Sequence, residues 1–228
     1  AGAAGAAGSG PGLYVDDVFS TYLYYGTTDP SLTITNGIDL SGEGGLVWIK
    51  QRNGQRYHHL FDTERGATKY LHTRNAATEA TNAETLTSFT SSGFTLGDDT
   101  QVNHPEDFVS WTFRKAPGFF DVVTYAGTGS AHSISHSLGS VPGMIIYKAI
   151  DDSREWMVYH RSLGASQGLI LNETYAAFST SDFGSGPTST HFSVGNTAVN
   201  NTSGKNYIAY IFAHDDQSFG TNSDEAII

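Results

Sequence analysis

Asp62 and Glu64 stand two residues apart in the run Leu60-Phe61-Asp62-Thr63-Glu64-Arg65, which reads as a strand. Alternate residues of a strand project from one face, so both carboxylates would share a side. A sandwich-type glycosidase uses such a pair as general acid and nucleophile. Arg65 beside Glu64 offers an ion pair instead, and a solvated strand face is the expectation. The nine histidines raise metal chemistry. His58 and His59 are adjacent and fall on opposite strand faces, and His132 and His136 keep a four-residue spacing that is useful only on a helix. Asp98-Asp99, Asp151-Asp152 and Asp215-Asp216 lack the alternating acids and the glycine of a calcium loop, and read as turns. There is no phosphate loop and no Gly-x-Ser-x-Gly elbow. The expectation is therefore no catalytic residue, no metal site and no cofactor.

Sugar recognition remains. Rings stack on the apolar faces of a saccharide, and planar polar groups bond its hydroxyls. One set of such side chains is Arg52, Arg56, Tyr57, His58 and Arg65, and a second is Arg154, Trp156, His160 and Arg161. These nine are the candidate ligand-binding residues, for glycan or partner. The plain alternative is that Tyr57 and Trp156 pack in the core or at its rim.

The elements that would position them are written twice. Gly45-Leu46-Val47-Trp48-Ile49-Lys50 returns as Gly143-Met144-Ile145-Ile146-Tyr147-Lys148, and Phe94-Thr95-Leu96-Gly97 as Phe192-Ser193-Val194-Gly195, each 98 residues on. Val102-Asn103 is matched to Val199-Asn200, and Phe19–Tyr24 to Phe120–Tyr125. Offsets that drift only between 97 and 101 over so many landmarks mark an internal duplication. The division expected is a Gly/Ala-rich arm at 1–18, repeats at 19–118 and 119–214, and a tail at 215–228. The opening AGAAGAAGSGPG is read as the trimmed end or internal linker of something longer.

Charged residues make up only 15 % of the chain, while Gly, Ser, Thr, Asn and aromatics abound, which is all-β composition. Net charge of −11 argues against a nucleic-acid backbone or an anionic bilayer as partner. With no cysteine there are no disulfides or thiolate metal sites, and no apolar run is long enough to span a membrane. Within the second repeat seven strands are expected, Val122–Tyr125, Ser133–His136, Met144–Ala149, Trp156–Arg161, Gly168–Asn172, Thr190–Val194 and Tyr207–Phe212, with turn residues between them. In the last strand of each repeat the triads Val109/Trp111/Phe113 and Ile208/Tyr210/Phe212 are the predicted core face, with Ser110 and Thr112 opposite. Asn75–Leu86 is read as a long loop. The fold predicted is two tandem sandwich-like units of about 95 residues, packed through edges or a shared face. The alternative is one fused concanavalin-like sandwich.

Val18–Tyr24, Asn36–Leu40, Gly44–Lys50, Leu60–Gly66, Trp111–Pro117, Leu138–Met144 and Tyr159–Ser162 together resemble an uncharacterised repeat domain that recurs in structural proteins of tailed phages, aquatic ones in particular. The likeness runs from Val15 to Phe219. It implies a virion or appendage protein, and it carries over no catalytic or binding residue. A weaker likeness, in strand order and in Trp48-Ile49-Lys50 followed by Leu60-Phe61-Asp62, is to concanavalin-like lectin sandwiches. The function expected is that of a non-enzymatic virion surface protein (tail fibre, appendage or capsid decoration) mediating assembly and host attachment. Its partners would be further copies of itself, other virion proteins and host-surface glycan, with no nucleic acid and no membrane insertion. A carbohydrate-binding lectin-like module and a polysaccharide hydrolase are the alternatives.

Overall fold

The computed structural model describes residues 13–214. The arm to residue 12 and the tail from 215, Asp215-Asp216 included, lie outside the described residues. Within the stretch expected as an arm at 1–18, Val15–Val18 form a helical turn whose Val18 is fully buried.

The first half holds β1 (Phe19–Tyr25), β2 (Leu32–Thr35), β3 (Gly45–Gln51), β4 (His59–Asp62), β5 (Lys69–His72), β6 (Ala80–Thr81), β7 (Leu86–Thr90), β8 (Gly93–Leu96) and β9 (Asp107–Arg114). They make an antiparallel six-stranded sheet, β1-β9-β3-β4-β5-β6, and a three-stranded sheet, β2-β8-β7. The second half holds β10 (Phe120–Ala126), β11 (His132–Ser135), β12 (Pro142–Ala149), β13 (Met157–His160), β14 (Gln167–Ile170), β15 (Phe178–Ser179), β16 (His191–Val194) and β17 (Asn206–Ala213). Its sheets run β10-β17-β12-β13-β14-β15 and β11-β16. With β7 set aside, the two orders are the same. All seven strands expected in the second repeat form, and β15 joins them. Asn75–Leu86 carries β6 within its loop and no helix.

Features shared by the halves explain the repeated landmarks. A Cβ on Gly97 would lie 2.5 Å from the Glu84 carbonyl oxygen, and one on Gly195 1.9 Å from that of Ser181. Only glycine lets the chain pass so closely. The Tyr24 hydroxyl donates to Val102 O at 2.7 Å, and Tyr125 to Asn200 O at 2.9 Å. The Asn103 amide donates to Gly97 O and Asp29 O and accepts from Thr27 N; Asn201 does the same with Gly195 O, Ser130 O and Thr128 N. These bonds correct the alignment by one residue: Val102-Asn103 answers to Asn200-Asn201.

Each large sheet has one face on its own small sheet. In the first half Val47, Ile49, Phe61, Phe94 and Phe108 fill that space; in the second Ile145, Tyr147, Phe183, Phe192 and Ile211 do. The other faces of the two large sheets pack on each other, where Leu46, Leu60 and Leu71 meet Phe120, Ile146, Trp156, Val158, Tyr210 and Phe212. The units thus share a face: each half has its own large and small sheet, and no sheet is built from both halves among the described residues. The triad expected on β17, Ile208, Tyr210 and Phe212, is buried in this seam, and of the β9 triad Val109 is buried and Phe113 packs on the seam, but in β9 the opposite face is covered more deeply. Ser110 and Thr112 are fully buried inside the first sandwich, whereas Trp111 and Phe113 on the opposite face are only partly buried. Thr112 is satisfied there by the Asn36 amide at 2.8 Å.

At the centre of the shared face sits a buried polar group. Arg65 Nε donates to Asp62 Oδ2 at 2.6 Å, its Nη2 to Leu60 O at 2.9 Å, and Nη1 pairs with Glu79 at 3.3 Å. The Tyr210 hydroxyl reaches across from the second half and donates to Asp62 Oδ2 at 2.8 Å. Burial keeps that hydroxyl protonated well above the usual tyrosine range.

His59 points into the first sandwich, 2 % exposed, with its Nδ1–H donated to Tyr57 O at 3.0 Å. Burial lowers its pKa to about 4 from 6.5. The unfolded chain therefore takes up a proton below pH 6.5 that the folded chain refuses until about pH 4, so stability falls as pH falls through that window. A shift of this size corresponds to a loss of about 3 kcal/mol. Urea unfolding at pH 7 and pH 4 should show it, and His59→Phe should flatten the profile.

Candidate functional site

Gln51 ends β3 with its side chain almost buried, and its Oε1 accepts from Arg56 N at 3.3 Å, which curls the following loop back. Lys50 Nζ ties the same loop by donating to Gly54 O at 3.1 Å. Asn53 joins it to the start of β9, accepting from Asp107 N at 3.2 Å and donating to Glu106 Oε2 at 2.8 Å. Arg56 Nη1 donates to Thr100 Oγ1 at 3.2 Å on the loop that follows β8. Between these loops lies an open cleft of about 480 Å3, lined by Gln51, Asn53, Gln55, Arg56, Tyr57, Gln101 and Glu106. Of its four carboxamides, Asn53 is spent on Asp107 and Glu106 and Gln51 holds the Arg56 N–H, which leaves the Gln55 and Gln101 amides as donors and acceptors for a ligand. The Tyr57 ring, 39 % exposed, gives it a flat apolar wall. That ring is braced by the Arg74 guanidinium 4.2 Å from its centre and by His72 at 5.7 Å. Hydroxyls can bond the amides while a pyranose face lies on the ring.

Of the residues singled out from sequence, Arg56 and Tyr57 line this cleft and Arg52 is exposed beside it. His58 turns away. Its Nδ1 accepts from Trp48 Nε1 at 2.8 Å and its ring stacks over Trp111 at 6.4 Å. Burial, and then Lys50, lower its pKa. Arg65 and Trp156 are corrections: Arg65 is 7 % exposed within the polar group at the shared face, and Trp156 is fully buried there. No saccharide can reach either. Arg154 pairs with Asp152 at 2.9 Å on the loop before β13, while His160 ends that strand and Arg161 follows it. His160 Nδ1 is occupied as a cap, accepting from Ser162 N at 3.3 Å. The second-half candidates form no single site.

The acid pair is consumed as well. Asp62 is fully buried against Arg65 and Tyr210, and Glu64 pairs with Lys115 at 2.8 Å. Lys115 also reaches Asp121 at 3.3 Å and so ties the halves together. Among the described residues no group of three or more His, Asp or Glu is placed to hold a metal ion.

The cleft residues that the types and spacing in the sequence do not single out are Gln51, Asn53, Gln55, Gln101 and Glu106. A comparison of the two copies points to most of them, since Ala149, Val199 and Lys205 stand where the first half has Gln51, Gln101 and Glu106. Asn53 is the exception: Asp151 repeats its work by accepting from Asn206 N at 3.0 Å.

Comparison with curated proteins and with solved structures returned no match. Residues 15–221, a range that takes in every strand of both sandwiches, match the family described as a domain of unknown function (DUF7483), and the chain belongs to that family.

Proposed function

We propose that the chain is a non-enzymatic attachment and assembly component of a virion surface, such as a tail fibre, appendage or capsid decoration, that holds a host-surface saccharide in the cleft of its first half. The observation that carries the binding reading is the lining: the Gln55 and Gln101 carboxamides stand in one cleft with a braced, exposed tyrosine ring. The resemblance to phage structural repeats supplies the setting. The hydrolase alternative is left without its acid pair, because Asp62 and Glu64 are both held in ion pairs. For contacts with further copies, β1 offers an edge of the large sheet with Tyr22, Leu23 and Tyr25 exposed. Such an edge carries backbone groups that another strand can pair.

The test is binding to a panel of bacterial surface polysaccharides. The wild-type chain should retain at least one of them, and Tyr57→Ala should weaken that binding about tenfold, the loss of one stacked ring, with an unchanged unfolding midpoint. Retention of none, or equal binding by the variant, would remove the reading.

A further inference from the structure

We infer that the saccharide taken by this cleft is anionic, a polysaccharide carrying uronate or equivalent carboxylate groups. The inference rests on the saccharide reading above and adds the ligand's charge.

It comes from where the cations are left unpaired. The chain has 12 Lys and Arg against 23 Asp and Glu, so nearly two carboxylates are available for each cation. Among the first-half cations, Arg65, Lys69, Arg114 and Lys115 each pair with a carboxylate. The other four, Lys50, Arg52, Arg56 and Arg74, form no ion pair among the described residues; one lines the cleft and three adjoin residues that line it. Arg56 lines it, Arg52 flanks it, Arg74 braces the Tyr57 ring, and Lys50 holds the loop at Gly54. Where they bond, they bond neutral oxygens, Arg56 the Thr100 hydroxyl and Lys50 the Gly54 carbonyl. The one carboxylate in the lining, Glu106, is engaged by the Asn53 amide.

A protein of net charge −11 repels an anionic polymer everywhere except at such a place. Guanidinium groups suit carboxylates in particular, because their fork of N–H donors matches the two oxygens. Four unpaired cations beside hydroxyl-binding amides therefore fit a sugar acid better than a neutral sugar. In the second half Lys148, Arg161 and Lys205 also form no ion pair among the described residues, but Lys148 is buried, Arg154 at the position of Arg56 is paired with Asp152, and the position of Tyr57 is Glu155.

The experiment measures binding of the whole chain to alginate and hyaluronan, which carry uronates, and to the neutral polymers dextran and mannan. The acidic polymers should bind at least tenfold more tightly at about 50 mM NaCl, and the preference should shrink at about 1 M NaCl as charges are screened. Arg56→Gln with Arg74→Gln should lower acidic-polymer binding about tenfold or more. Arg161→Gln with Lys205→Gln, two cations of the second half, should leave it unchanged. Equal binding of neutral and acidic polymers would overturn the inference and leave the saccharide reading standing. Binding of none would overturn both, and equal loss in the two double variants would overturn the inference by reducing the preference to unspecific charge attraction.

Discussion

Arg65→Ala is expected to destabilise the protein by about 3–5 kcal/mol, the usual cost of removing one partner from a buried ion pair. Asp62, with no exposed side-chain surface, would keep its charge with only the Tyr210 hydroxyl and the residue-65 backbone N–H to offset it. Leu60 O and Glu79 would lose their donors too. For a chain of this size the loss corresponds to a fall in Tm on the order of 10 °C. Removing Asp62 as well should recover part of the loss, since coupled residues do not add. Thermal unfolding of the single and double variants checks this. Saccharide binding by the folded fraction should stay as in the wild type, because the guanidinium is sealed between sheets. An unchanged Tm with binding abolished would return Arg65 to the binding surface.

Trp156→Ala should cost a similar amount, about 3–5 kcal/mol, through the cavity left between the two large sheets. The indole is fully buried, nearly parallel to the Tyr210 ring at 6.5 Å, with Lys148 Nζ 6.0 Å from its centre. Its Nε1–H has no hydrogen-bond partner, so the contribution comes from ring packing and the Lys148 ammonium over the ring. Trp156→Phe, which keeps an aromatic ring and removes the unpaired donor, should cost markedly less. Urea unfolding of the two variants separates them. Equal losses would assign the stabilisation to the indole nitrogen and not to ring packing.

Both residues read as binding residues in the sequence for one physical reason. An arginine and a tryptophan near strand ends are exposed in a lone sandwich, and one repeat does not reveal that the other covers its outer face. The periodicity of β9 misleads in the same way. Ser110 and Thr112 stand opposite the predicted core face, yet the small sheet of the same half buries them, and Thr112 needs Asn36 from a distant turn to be satisfied. Legible in the sequence is whatever local chemistry dictates twice: the glycine pinch at Gly97 and Gly195, and the apolar runs of β3 and β12; the asparagine bracket at Asn103 is legible only to within one residue, its counterpart being Asn201. The cleft is half legible. Arg56 and Tyr57 stand out by type, whereas Gln51 and Gln101 look like ordinary loop residues until a turn and a neighbouring loop bring their amides together.

The duplication is what makes the functional claim sharp. Two sandwiches of one topology are present, but the amide-lined cleft is built in the first, and its counterpart positions in the second carry Ala149, Glu155, Val199 and Lys205. The most direct measurement is therefore the stoichiometry of saccharide binding, by calorimetric titration of an oligosaccharide cut from a polysaccharide that the chain retains. One site per chain is predicted, lost on changing Tyr57 and Gln101 to alanine. Two equivalent sites per chain, or one site that survives those changes, would contradict the assignment of binding to the first-half cleft.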